Sequence, residues 1–209
     1  MVTSYEALDL GRYMKINAVL QDDTLEEVDK QVRIIAILDG KTEDEVLALP
    51  MGEYGALAAQ TAFLREPLPP RQLDPDTKEI RLGENTYQLT RDFTKITTAQ
   101  YVDFQTFSKG FPQTLPEILS CFLVPDGKTY NNGYDPADVQ RDLLAMPWPE
   151  AVSLSAFFFA RFSASIADSL TSLDLARRMA KDPKKRKVLE RKIAEAEAAL
   201  RRVGVGLPM

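Results

Sequence analysis

Six apolar residues, Leu154, Phe158, Phe162, Ile166, Leu170 and Leu173, recur at almost wholly four-residue steps, and Phe157 and Phe159 broaden the face they share. That spacing predicts one long helix from Pro149 to about Lys181, with a stripe thick enough for the centre of a core. Its most apolar part, Ala151 to Ala167, carries Arg161 and the serines 153, 155, 163 and 165. A bilayer span needs about 20 mostly apolar residues, so the run reads as a buried helix and no membrane contact is expected. The remaining composition suits a globular chain: 209 residues, 44% apolar, 27% charged, net charge −5. This length allows one sizeable core or two small ones.

Histidine is absent and cysteine occurs once, at Cys121. Those two facts remove histidine triads, Cys-His pairs, histidine metal sites, an intrachain disulfide and multi-cysteine zinc or iron–sulfur centres. Carboxylate, lysine, serine and tyrosine chemistry remain, without a diagnostic spacing, so neither an enzyme nor a cofactor is expected. Met1 to Glu6 offers no basic segment leading into an apolar one. No signal peptide is therefore expected, and a reducing cytoplasm suits the single thiol.

Helix starts and stops organise the first 66 residues. Thr24 and Glu27 have capping-box spacing, followed by Leu25, Val28, Val32, Ile35 and Leu38 on one stripe. Gly40 closes that helix. Thr42 and Glu45 open another ahead of Val46, Leu47 and Leu49. After Pro50, a helix over Met51 to Leu64 places Tyr54, Leu57, Ala58, Thr61 and Leu64 together. Four prolines within residues 66–75 then favour a stiff, extended connection. Residues 78–90 alternate around Gly83-Glu84-Asn85, the pattern of a β-hairpin. A hairpin alone is marginal in water, so it must lean on helices or another strand.

Further helices begin at the Thr97–Gln100 box with Ile96 as a staple, at Thr114 with Pro116 in the first turn, and at Asp135-Pro136. The first presents Tyr101, Phe104, Gln105 and Ser108; the second extends through Cys121 and Phe122. Pro125-Asp126-Gly127 and Asn132-Gly133 are turns, and Trp148, between two prolines, anchors a helix joint. Asp182-Pro183 separates the long helix from a last one, Lys184 to Arg202, whose stripe is Val188, Leu189, Ile193, Ala196 and Leu200. The expected fold is mainly α, a multi-helix domain with one small β-hairpin insertion. Its divisions are an N-terminal helical subdomain (1–66), a proline-rich linker (67–77), the hairpin plus main helical domain (78–182) and a basic C-terminal helix (183–209).

Chemical motifs are weak. Gly127-Lys128-Thr129 resembles the end of a phosphate loop, but Phe122 stands where the required glycine belongs. The acidic groups at 22–27 and 43–45 lack the alternation of a calcium loop and suit helix N-termini instead. Tyr130 and Tyr134, in the polar loop 126–138, read equally as a contact site or as pins holding the loop to the core. Charge is more informative. Residues 177–202 hold eleven Lys/Arg and four Asp/Glu, net +7, while the rest of the chain is net −12. Lys184, Lys185, Arg186, Lys187 and Arg191 are candidate contacts for an acidic partner. Protein is favoured over nucleic acid, since the acidic remainder would oppose phosphate binding.

Three stretches carry a family likeness: Asp29-Lys30-Gln31-Val32 through Leu38-Asp39-Gly40-Lys41-Thr42-Glu43-Asp44-Glu45-Val46-Leu47-Ala48-Leu49-Pro50; Thr97-Thr98-Ala99-Gln100-Tyr101-Val102-Asp103-Phe104-Gln105; and Phe122-Leu123-Val124-Pro125-Asp126-Gly127-Lys128-Thr129-Tyr130-Asn131-Asn132-Gly133-Tyr134-Asp135. Over roughly residues 24–170 the chain resembles proteins from the tail-gene regions of phages and prophages of gut bacteria, similar to phage tail assembly chaperones. The resemblance rests on helix starts and turns, and it implies no catalytic residues. It implies a non-enzymatic tail morphogenesis factor in the host cytoplasm, with a tail-length, tail or baseplate protein as partner and homo-oligomers open to it. A structural virion protein of tail, baseplate or connector is the alternative; a nucleic-acid-binding regulator rests on the basic helix alone. A chaperone of this kind needs an apolar groove. The phenylalanines 157, 158, 159 and 162 either line one or pack the core.

Overall fold

In the computed structural model, residues 1–68, 72–180 and 182–204 are described. Among them are nine α-helices and one three-stranded antiparallel sheet, a mainly α fold. The helices are α1 (Leu10–Leu20), α2 (Glu27–Asp39), α3 (Glu43–Leu47), α4 (Met51–Gln60), α5 (Thr98–Phe107), α6 (Leu115–Ser120), α7 (Pro136–Leu144), α8 (Trp148–Met179) and α9 (Pro183–Gly204). The strands are β1 (Glu79–Leu82), β2 (Asn85–Leu89) and β3 (Leu123–Pro125).

The first half of α8 is the centre of the main core. Ala151, Leu154, Phe158, Phe159 and Phe162 are buried there among Phe93, Phe104 and Phe122. Phe162 meets Phe104 edge-on at 4.6 Å, and Phe122 lies 5.0 Å from Phe158. Offset and edge-on pairs of this kind suit the ring quadrupole and add to the burial of their large apolar surface. The phenylalanine cluster thus fills the core, with Phe157 only partly buried at its margin and Phe162 at the edge of an open trough of about 450 Å³ between the start of α5 and the α8–α9 pair.

The N-terminal residues belong to this same core. Leu8, Leu10 and Ile16 are fully buried in it. The Leu10 amide donates to the Met146 carbonyl at 2.8 Å, and the Trp148 amide to the Leu8 carbonyl at 2.7 Å. Trp148 stacks on Tyr13 with ring centroids 3.5 Å apart, the anchoring role its position predicted. The helix α2 separates two apolar groups. Ile34 and Leu38 face the main core, while Val32, Ile35 and Ala36 meet Val46, Leu49, Tyr54 and Leu57 in a small second one.

Several local expectations hold and several are corrected. Gly40 ends α2 in the left-handed region (φ 69°), where glycine escapes the Cβ penalty. Complete capping boxes form at Thr42/Glu45 and Thr97/Gln100, and Asp135 caps α7 ahead of Pro136. Thr24 does not cap α2. Its amide and hydroxyl bond to the Asp22 carboxylate at 2.9 and 2.6 Å, so the chain turns and helix begins only after Glu26. Val28 consequently points to solvent. On α5 the inward residues are Gln100 and Phe104, whereas Tyr101 is exposed. Gln100 reaches across to the Cys121 carbonyl at 3.1 Å.

The hairpin forms as expected, with Ile80 opposite Tyr87 and a two-residue turn at Gly83-Glu84. The helix at Thr114, however, stops at Ser120. The chain then extends, and β3 pairs with β2, placing Leu123 opposite Leu89 and Pro125 opposite Tyr87. The expected hairpin is therefore part of a three-stranded sheet. Pro125 is tolerated because β3 is an edge strand, where a missing amide costs no ladder bond. In the proline-rich stretch, the Arg91 guanidinium donates to the Pro75 carbonyl at 2.8 Å, and Leu68 and Leu73 pack on the main core. Pro69, Pro70, Arg71, Lys181 and residues 205–209 lie outside the described residues, as do the side chains of the stripe positions Ile166 and Leu200.

Candidate protein-contact surface

Beyond Phe162 the character of α8 changes. Its 32 residues extend for about 48 Å. Only the first half has the main core around it; the second packs on α9, which returns alongside it. The reason is in the sequence, since the thick aromatic face ends at Phe162. From there Leu170 and Leu173 are only half-buried, opposite the half-buried Leu189, Ile193 and Ala196 of α9. A thin apolar seam holds two helices together but leaves most of their circumference in water. No helix among the described residues is long and apolar enough to cross a membrane.

The turn between the helices is defined by polar contacts. The Asp182 carboxylate accepts from the Lys184 amide at 2.8 Å and so starts α9. The Arg186 guanidinium donates to the Ala180 carbonyl at 3.2 Å. On α8, Asp174 draws in both Arg177 and Arg178, at 2.5 and 2.7 Å. Lys184, Lys185, Arg186, Lys187 and Arg191 are all exposed around this tip. Arg191 pairs with Glu195 at 3.6 Å along its own helix. An exposed pair of this type stabilises by under about 1 kcal/mol and leaves the cation open to exchange partners. Leu175 and Met179 on α8 and Val188 on α9 are also exposed. Leu175 and Met179 were missed as contact residues because they fall off the stripe that defines the helix. Large apolar side chains on the face of α8 opposite its stripe were the signal.

Tyr130 and Tyr134 are placed differently. Both are half-buried and pack on the main core. The Tyr130 hydroxyl donates to the Asp103 carboxylate at 2.8 Å and lies 3.8 Å from the Cys121 sulfur. Burial, then the bond to Asp103, raises the Tyr130 pKa; burial likewise raises that of Tyr134. The structure therefore separates the candidates: two tyrosines fasten a loop, and five cations surround a helical tip. Gly127 and Asn131, at φ 70° and 56°, give that loop its left-handed turns.

The other polar groups are largely engaged in structure. Burial pushes the Cys121 thiol up to about 12, far from a reactive thiolate. Asp142 accepts from Tyr87 and Asn85, both at 2.6 Å, and so ties α7 to the sheet. An open trough of about 950 Å³ lies between the 91–94 turn and the α8–α9 pair, lined in part by Arg161, Ser165, Asp168, Ser169 and Lys192. Its two arginines, Arg91 and Arg161, both donate to the Pro75 carbonyl. Among the described residues there is no group of three or more His, Cys, Asp or Glu side chains able to hold a metal ion. No family model, curated protein or solved structure matches this chain.

Proposed function

We propose that the protein is a non-enzymatic phage tail morphogenesis factor of the tail assembly chaperone type, which holds a partner polypeptide on its α8–α9 hairpin. The sequence likeness supplies the class. The observation that carries the contact is the exposed surface of the hairpin: Leu175 and Met179 stand in solvent on α8, and Val188, Lys184, Lys185 and Lys187 on α9. A partner that carries both apolar and acidic side chains suits this hairpin: the apolar ones would cover Leu175 and Met179 on α8, and the carboxylates would meet the lysines of α9. The core phenylalanines are already enclosed, so the partner site lies on the outside of the hairpin.

Co-expression with the tail-length protein tests this reading. The long partner is expected to stay soluble and to co-purify with this chain, and to precipitate in its absence. A partner that is equally soluble alone overturns the chaperone role. Mass spectrometry of purified particles then separates the structural alternative, since a chaperone is left out of the finished virion and a tail or baseplate protein is retained.

A further inference from the structure

The chain's charge is divided between two surfaces. Residues 22–66 contain eleven Asp/Glu and four Lys/Arg, net −7, the mirror image of the +7 in residues 177–202. In the folded chain Glu26, Glu27, Asp29, Glu43, Asp44, Glu45 and Glu53 are exposed on α2–α4 and the residue before α2. That acidic unit also exposes apolar side chains: Leu47 is 66% exposed and Met51 80%, on either side of the Pro50 joint, and Val28 is 65% exposed. The basic α8–α9 hairpin exposes apolar side chains as well, Leu175 being 59% exposed, Met179 73% and Val188 48%. These figures show that neither surface covers the other within one chain. The packing of α9 is against α8.

We infer that the two surfaces belong to one interface, formed between the α8–α9 tip of one copy and the α2–α4 unit of a second copy. Complementary charge sets the orientation and speeds encounter, and the exposed apolar side chains of both units add burial. Like surfaces repel, so a symmetric tip-to-tip or acid-to-acid pairing is disfavoured. The contact is head-to-tail. Every added copy presents a fresh tip and a fresh acidic unit, so the assembly closes into a ring or grows as an open chain. The interface uses the hairpin that the proposed function gives to a partner polypeptide, so a second copy and that partner compete for it; the solution mass of this chain alone tests the interface separately from the chaperone role.

The test is the solution mass of the full chain and of two charge-reversed variants, with far-UV circular dichroism to verify that each is folded. One carries Lys184→Glu, Lys185→Glu and Lys187→Glu; the other carries Glu27→Lys, Asp44→Lys and Glu53→Lys. The wild-type chain is expected to show the mass of two or more copies at about 0.01 M salt, where the screening length is about 30 Å, and to dissociate at about 1 M, where it is about 3 Å. Each variant alone is expected to be a monomer. An equimolar mixture of the two is expected to associate, because the unaltered tip of one variant then meets the unaltered α2–α4 unit of the other. A wild-type monomer at low salt, an assembly unaffected by either reversal, or a folded pair of variants that fails to associate overturns the inference.

Discussion

Asp142 shows how a single side chain settles the position of an element. Its one oxygen accepts from Tyr87 on β2 and from Asn85 at the strand's start. Asp142→Ala leaves the buried Tyr87 hydroxyl without this acceptor and is expected to cost about 1–3 kcal/mol in urea unfolding; adding Tyr87→Phe should recover part of the loss. The tyrosines also set the response to alkali. Burial and the bonds to Asp142 and Asp103 raise the pKa values of Tyr87 and Tyr130, and burial takes Cys121 from 9 to about 12. Above pH 9 for the thiol and about 10 for the phenols, the unfolded chain loses protons that the folded chain keeps. Stability is therefore full below those values and falls as pH rises through the folded ones. Thermal melts from pH 7 to 11 should decline beyond pH 9, and Tyr130→Phe should lessen the decline above pH 10. The anchoring of Trp148 was readable from its place between two prolines. The role of Tyr130 was not, because its partner Asp103 is 27 residues away on another helix and only tertiary packing joins them.

At the scale of elements, capping chemistry is local and could be read directly. The boxes at Thr42 and Thr97, the Asp135 cap and the glycine stop at Gly40 all need only residues within one turn. Thr24 had the same spacing and failed because Asp22, two residues before it, offered a closer acceptor. The contrast is measurable. Thr97→Ala is expected to destabilise by about 1 kcal/mol in chemical denaturation, and Thr24→Ala by less than about 0.5 kcal/mol. Strand β3 was hidden for a different reason. Three residues, Leu123 to Pro125, are too few to display a period of two, and they follow a helix whose apolar content continues into them. Pairing with β2, a long-range event, decides their state. The long helix was legible in extent, but the four-residue stripe did not reveal that its apolar environment changes at Phe162. A stripe records which residues share a face and not what covers that face.

For the molecule as a whole, the fold separates two tasks. One aromatic core holds α1, α5–α8 and the sheet together, and the α8–α9 hairpin extends helical surface beyond it. Charge segregation could be counted in the sequence, and the five cations at 184–191 do gather at one exposed tip. What no count could supply was which apolar side chains of the hairpin stay exposed, since that depends on what the α8–α9 seam covers. The account rests on this hairpin gripping another polypeptide. Its most direct test is the amount of tail-length protein kept soluble on co-expression with the wild-type chain and with a Leu175→Ser, Met179→Ser, Val188→Ser variant, whose altered side chains are all outside the core. The account predicts that the wild type retains the partner in solution and the folded variant releases most of it to the pellet; equal solubility with both chains would contradict it.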